Sequence, residues 1–229
     1  MTIPAMHAEI EQIFIEAELA DCRSLCITSC QSGEGVTSLA IALTERYLLA
    51  GYRTLIIDLN IHKPSFNVLE LPSLEPNEFW LEHTSTAQCF TGVASPINSP
   101  AQLAYKRPGH LKKNIEEWSK QFDRIVIDTS PILNINKSNI PSQIVATACD
   151  QTILTVLAGV TNKHDITQAM KLLNSSQIQL LGTVLNTKEQ PSLLFELNRE
   201  INRLAFLPRK WRSAIINKLK KNQFLSITV

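Results

Sequence analysis

Three places in the chain hold residue types able to handle a phosphate and a metal ion. The first is Thr28-Ser29-Cys30-Gln31-Ser32-Gly33-Glu34-Gly35-Val36-Thr37-Ser38, which joins an apolar run to a helical pattern through two glycines. Such a junction lets backbone N–H groups and the positive end of a helix dipole converge on an anion. Gly33 and Gly35 let the backbone curl without a side-chain clash. The other two places are Asp58, which closes Thr54-Leu55-Ile56-Ile57, and Asp128, which closes Arg124-Ile125-Val126-Ile127. Thr37 offers a hydroxyl to Mg2+, while Asp58 and Asp128 can hold the ion's waters or orient a nucleophile. Two glycines before a helix are a weak pattern alone; two acids at neighbouring strand ends strengthen it.

The elements that must position these groups follow from periodicity. Ile10 to Leu19 predicts a helix with Ile10, Ile13, Phe14 and Ala17 on one side. Leu25–Ser29 predicts a short strand, Thr37–Ala50 a helix closed by Gly51, and Thr54–Asp58 a second strand. Asn60 to Pro108, with six prolines and little periodicity, is expected to be a long, partly irregular excursion. Beyond it come a helix at Leu111–Gln121 and a strand at Arg124–Asp128. Ile140–Ala148, Ile153–Leu157, Ile166–Asn174, Leu180–Leu185 and Leu193–Leu204 then alternate helix and strand. Short apolar strands between helices predict an α/β fold, a single mostly parallel sheet covered by helices on both faces. Ligands of such sheets sit beyond the carboxyl ends of the strands, where Ser29, Asp58 and Asp128 all fall.

Composition bounds the rest. The chain has 229 residues, 44% hydrophobic and 19% charged, as in globular domains and unlike disordered chains. No apolar run approaches the roughly 18–20 residues of a membrane span. The start, MTIPAMHAEIEQIF, lacks the basic and apolar stretches of a secretory signal, so a cytoplasmic protein is expected. Cys22, Cys26 and Cys30 recur every four residues, a period that repeats on one side of a strand, and are expected to be reduced and packed as small hydrophobes. The five histidines show no metal-ligand spacing. Glu34 is expected to be a tolerated surface residue. His62 and Lys63 are read as an exposed basic turn, and Lys137 and Lys163 as loop residues after strands.

Charge is unevenly spread. Residues 198–229 carry eight Lys/Arg against the single acid Glu200, whereas the residues before them carry 14 basic and 20 acidic side chains. In Arg209-Lys210-Trp211-Arg212-Ser213-Ala214-Ile215-Ile216-Asn217-Lys218-Leu219, the positions Trp211, Ile215 and Leu219 repeat every four residues among basic ones. That pattern fits an amphipathic helix, either at an anionic membrane or partner or packed on the body. No recognition-helix motif supports nucleic-acid binding. Three segments result: an N-terminal helix at 1–21, the α/β domain at 22–207, and a basic amphipathic helix at 208–229.

With these motifs in hand, the chain resembles the MinD/ParA superfamily of deviant Walker A P-loop ATPases. It is most similar to the bacterial tyrosine-kinase branch that accompanies capsule and exopolysaccharide export. Gly33-Glu34-Gly35-Val36-Thr37-Ser38 resembles that branch's Gly-Glu-Gly-Lys-Ser/Thr loop. Ile57-Asp58-Leu59-Asn60-Ile61-His62-Lys63-Pro64 resembles its Ile-Asp-Ala-Asp-Leu-Arg-Arg-Pro motif, and Ile127-Asp128-Thr129-Ser130-Pro131 its Walker B strand. Ser99-Pro100-Ala101-Gln102-Leu103 is similar to Asn-Pro-Ala-Glu-Leu. Leu181-Gly182-Thr183-Val184-Leu185-Asn186 is similar to the strand whose terminal Asn helps read adenine. The similarity runs in unbroken order over about residues 22–190.

Departures accompany the matches. The loop lysine is Val36, the earlier signature lysine of other MinD-like members falls at Gln31, and the second Asp of the middle motif is Asn60. The Glu-x-x-Arg-x-x-Arg assembly motif falls near Glu9, Gln12 and Ile15 without either arginine, and the only tyrosines are Tyr47, Tyr52 and Tyr105. A charged hydrogen bond contributes about 1.5–3 kcal/mol, so loss of the lysine weakens nucleotide binding by about 10- to 150-fold. The resemblance thus implies a degenerate ATPase-like adaptor or regulator of an envelope machine such as exopolysaccharide synthesis or export. ATP or ADP with Mg2+ would bind weakly or not at all at Gly33–Ser38, Asp58, Asp128 and Asn186. Expected partners are the cytosolic segment of an envelope membrane protein and a second copy or an active paralogue. The tail's Arg209, Lys210, Trp211, Arg212, Ile215 and Leu219 would touch an anionic inner-membrane surface. The rival readings are an active ATPase or tyrosine kinase using Asp58 and Asp128, and a positioning factor for a pilus or flagellum.

Overall fold

Runs of Leu, Ile and Val flanked by small polar residues make strands buried on both faces. β1 (Ser24–Ser29) and β2 (Thr54–Asp58) are buried at every position, and β6 (Arg124–Asp128) and β7 (Gln151–Leu157) at all but the first. In the computed structural model the described residues are 3–61, 63–69, 80–134 and 139–188, with the single positions 197, 201, 203 and 219. The other elements are α1 (Ala8–Leu19), α2 (Val36–Leu49), β3 (Phe66–Leu69), β4 (Trp80–His83), β5 (Cys89–Val93), α3 (Ser99–Tyr105), α4 (Pro108–Trp118), α5 (Ser142–Ala148), α6 (Lys163–Ser175) and β8 (Leu180–Asn186). The chain divides into two compact units, Met1–Val156 with Thr161–Leu185, and Leu157–Val160 with Asn186–Val229.

Among the described residues the sheet has eight strands in the order β3-β4-β5-β2-β6-β1-β7-β8. β1 lies parallel between β6 and β7, and β2 lies parallel between β6 and β5. β4 runs antiparallel to both β3 and β5. The expected α/β architecture is therefore present, with a mixed sheet. The partly irregular excursion expected at 60–108 contains β3, β4, β5 and α3 and extends the sheet beyond β2. These strands are only four or five residues long, too short for their alternation to stand out among the prolines.

Helices cover both faces of the sheet. On one side α2, with Leu39, Ala40, Leu43 and Tyr47 buried, packs with α1 over Leu25, Ile27, Ile56 and Val126. On the other, Leu111 and Ile115 of α4, Val145 and Ala146 of α5, and Ala169 and Leu173 of α6 pack on Cys26, Leu55, Ile57 and Ile127. The cysteine period does not keep one side: Cys22 joins the first cluster, and Cys26 and Cys30 the second. Only Cys26 lies within the strand, so the strand period governs none of the other pair. All five cysteines are free thiols.

α1 is fastened by charge as well as by Ile10 and Ala17. Arg46 donates to both oxygens of Glu11, at 2.5 and 2.9 Å, and lies 3.8 Å over the Phe14 ring. Arg124 pairs with Glu18 at 2.7 Å and stacks 4.1 Å over Tyr52, whose hydroxyl donates to the same carboxylate. α2 ends as its sequence predicts: Gly51 is left-handed at φ 88° and its N–H bonds Leu48 O at 2.9 Å. At Gly92 in β5 an added Cβ would lie 2.4 Å from Ile56 O, so this strand approaches β2 only as glycine.

In the second unit, Ala158 N–H donates to Asn186 O at 2.8 Å. Of the helix expected at Leu193–Leu204, positions Leu197, Ile201 and Arg203 are described and helical. Arg209, Lys210, Trp211, Arg212 and Ile215 lie outside the described residues, as do His62 and Lys137; Leu219 is a half-buried helical position. Among the described residues no helix is long and apolar enough to cross a membrane.

Candidate functional site

The glycine loop leaves β1 and turns into α2. Gly33 and Gly35 take φ values of 91° and 98°, the left-handed region that a side chain resists, and Gly35 caps the helix. Between them Glu34 is turned inward and is 1% exposed. Its Oε2 accepts the Cys30 N–H at 2.8 Å and its Oε1 accepts the Thr161 hydroxyl. The expectation of a surface Glu34 is thereby corrected: the side chain spans the loop and ties it to the segment after β7. Glycine on both sides supplies the sharp backbone turn that sends this carboxylate inward.

Val36 is the first helical residue and 8% exposed, within the apolar cluster of Leu39, Ala40 and Ile41. Its branched side chain is absorbed by the core. Thr37, one residue on, points to the acids: its hydroxyl donates to Asp128 Oδ2 at 2.6 Å and lies 3.3 Å from the Ser65 hydroxyl. Ser38 is half-buried in the same turn.

Strand register brings the two acids together. Asp58 and Asp128 are paired neighbours at the ends of β2 and β6, and both are fully buried. Asp58 accepts backbone N–H bonds from Asn60 and Ser65, each at 2.9 Å. Burial raises its pKa against those bonds. Asp128 is pushed well above the usual carboxylate range by burial first and then by the neighbouring Asp58 charge, with the Thr37 hydrogen bond opposing. Its Oδ1 is buried without a hydrogen-bond partner among the described residues. Within that set no ion pair reaches either acid.

This donor set fits a hard divalent cation. Thr37 Oγ1, the two carboxylates and the orphaned Asp128 Oδ1 are oxygen ligands of the kind Mg2+ takes directly or through water. The phosphate side is less complete, because the loop offers backbone N–H groups while position 36 offers a buried methyl pair. Asn60, where the resemblance expects an acid, instead holds the turn: its Oδ1 lies 3.3 Å from the Lys63 N–H and accepts the Ser130 hydroxyl at 3.3 Å. Lys63 is exposed in that turn, and Lys163 is exposed at the start of α6.

Gly33, Glu34, Gly35, Val36, Thr37, Ser38, Asp58 and Asp128 thus belong to one end of the sheet in the first unit. Asn186 belongs to the second unit, where its side-chain oxygen accepts the Lys188 N–H at 3.0 Å. Three residues escaped the sequence reading: Ser65 and Thr161, which touch Thr37 and Glu34, and Ser95, whose hydroxyl donates to Asp58 O at 3.1 Å. All three lie in connections after strands and carry no motif; only the fold brings them in.

No family model matches the chain. Over 174 residues, 71% of the chain and 74% of the relative, it is 32% identical to tyrosine-protein kinase CpsD of Streptococcus pneumoniae serotype 4. The kinase domain of VpsO superposes with a TM-score of 0.61 at 23% identity, over 80% of this chain and 93% of that one. Cobyrinic acid a,c-diamide synthase from Mycobacterium smegmatis, with bound ADP and magnesium, superposes with a TM-score of 0.55 at 18% identity, over 72% and 74%. The two structural likenesses carry the fold, and the sequence identity carries the family. Glycine loop, acid pair and relative agree: the chain belongs to the bacterial tyrosine-kinase branch of the MinD/ParA-type P-loop superfamily.

Proposed function

We propose that this chain is an adaptor or regulator of a bacterial envelope machine, with exopolysaccharide synthesis or export the favoured setting, and that its nucleotide site binds ATP or ADP with Mg2+ weakly or not at all. The observation that carries this reading is the burial of Val36 in the apolar cluster at the position of the loop lysine. Removing a transition-state charge contact costs a factor of about 100–1,000 in rate, so phosphoryl transfer by such a site is slow even where nucleotide binds. Asp58, Asp128 and Thr37 keep the metal half of the site, with Gly33–Ser38 as the phosphate cradle. The partners in this reading are the cytosolic segment of an envelope membrane protein and a second copy or competent paralogue. The setting is cytoplasmic, peripheral at the inner membrane through the basic tail.

Calorimetric titration of ATP and ADP with Mg2+ into the native chain and a Val36→Lys variant tests the proposal. The expected result is little or no heat from the native chain and restored binding in the variant. Micromolar binding by the native chain, with measurable phosphate release or tyrosine phosphorylation, sinks it in favour of the active enzyme. That second reading has its own support in the orphaned Asp128 Oδ1, a geometry suited to a bound cation.

A further inference from the structure

Ser65 follows the motif at 57–64 and is half-buried in the loop between β2 and β3. Its N–H donates to Asp58 Oδ2 at 2.9 Å. Its carbonyl accepts the Thr84 N–H at 3.0 Å and the Thr84 hydroxyl at 3.2 Å. The turn between β4 and β5 thus clamps the Ser65 backbone against the acid and fixes where the side chain points. The hydroxyl lies 3.3 Å from Thr37 Oγ1, with Lys63 O further off at 3.5 Å.

Proton counting gives the Thr37 contact a direction. A hydroxyl carries one proton and two lone pairs. Thr37 commits its proton to Asp128 Oδ2 at 2.6 Å, so across the 3.3 Å contact Ser65 donates and Thr37 accepts. That contact is longer than the about 2.5–3.0 Å of a good O–H···O bond and is correspondingly weak. The chain of hydroxyls ends at Asp128, whose Oδ1 is buried without a hydrogen-bond partner among the described residues. Ser65 therefore occupies the Thr37 lone pair that a divalent cation at Thr37 and Asp128 needs. Giving it up costs Ser65 little, and its own oxygen is then free to accept from a water that such a cation polarises, a stronger, charge-assisted bond.

We propose that Ser65 is a positioning residue for the divalent cation of the Thr37–Asp128 site, and that it acts with no nucleotide present. Its hydroxyl steadies the Thr37 oxygen in the cation-free site and holds a cation-bound water in the loaded one. This role rests on the metal half of the site being kept, as proposed above. Mn2+ binding to the full chain without nucleotide, read by electron paramagnetic resonance as loss of the free-ion signal, tests it, with Mg2+ as competitor. Wild type is expected to bind Mn2+ and to release it to Mg2+. Ser65→Ala and Ser65→Val keep the backbone bonds and lose the hydroxyl, and are expected to bind about tenfold more weakly. Ser65→Thr, close to valine in shape but with the hydroxyl restored, is expected to bind as wild type. Thr84→Val removes one of the two bonds to Ser65 O at an exposed position and is also expected to bind as wild type. Cation-free melts of all four variants check that each folds, and should Ser65→Ala melt low, the Thr and Val pair decides. The role of Ser65 alone is overturned if wild type binds and the Ala and Val variants bind equally well. It is overturned in favour of a purely structural clamp if Ser65→Thr does not restore binding or Thr84→Val falls as far. No Mn2+ binding by wild type overturns it together with the metal half of the site.

Discussion

Glu34 closes the glycine loop on itself through Cys30 and on the fold through Thr161. A buried donor deprived of its acceptor costs about 1–3 kcal/mol, and here the Cys30 N–H and the Thr161 hydroxyl lose the same acceptor together. Glu34→Ala is expected to destabilise the chain by about that amount in urea denaturation, with Glu34→Gln retaining part of it. The acid pair makes an opposite contribution. The folded pKa values of Asp58 and Asp128 are raised, so the native state holds protons that the unfolded chain releases. Their contribution to stability is full below about pH 4 and is lost as pH rises through the folded values. Asp128→Asn is therefore expected to be more stable than wild type at pH 7, with the gap closing toward pH 4 in a denaturation series. Mg2+ is expected to raise the wild-type melting temperature and leave that of the variant unmoved. The two acids were legible in the sequence because strand ends are legible, and Thr37 because it opens the helix after the glycine loop. Glu34 was not, since its partner Thr161 lies 127 positions away and a glutamate between glycines reads as solvated.

At the scale of elements, the least forgiving contact is between β5 and β2. A methyl group at Gly92 would meet Ile56 O at 2.4 Å and Leu81 Cδ1 at 2.6 Å, backbone and packed core with no room to yield. Gly92→Ala is expected to cost about 1–3 kcal/mol or more, whereas Gly109→Ala, with open space around it, is expected to stay within about 0.5 kcal/mol. Thermal melts of the pair check both. α1 offers a second case. Glu18 joins Arg124 and Tyr52 in one half-buried network, so Glu18→Ala is expected to cost about 1–3 kcal/mol. A double-mutant cycle with Arg124→Ala should show strong coupling. α1 and α2 were readable from their 3.6 period, and β1, β2 and β6 from continuous apolar runs. β3, β4 and β5 were not, because four-residue strands owe their existence to cross-strand partners that a local pattern does not contain. α5 also begins later than its apolar run suggests, at Ser142, after Pro141.

For the molecule as a whole, the five thiols report on how it opens. Cys89 is exposed, while Cys22, Cys26 and Cys30 lie in the core, with burial pushing Cys22 and Cys30 up to about 12. Labelling with a chromogenic disulfide is expected to show one fast thiol, Cys89, a slower one at the half-buried Cys149, and the three core thiols reacting only on global unfolding. A fast reaction at Cys26 would mean that β1 opens locally. The α/β class was visible at this scale from the alternation of apolar strands and helices. The strand order was not, because β1 pairs with β6 and β7, segments about a hundred positions and more away in the chain. That pairing has a consequence for birth as well as for stability. A ribosome adding about 5–20 residues per second leaves β1 without its last neighbour for about 6–26 s. Over that interval β1 shows first two and then, once β6 has been made, one unpaired apolar edge, and it is then that holdase chaperones would meet this sequence.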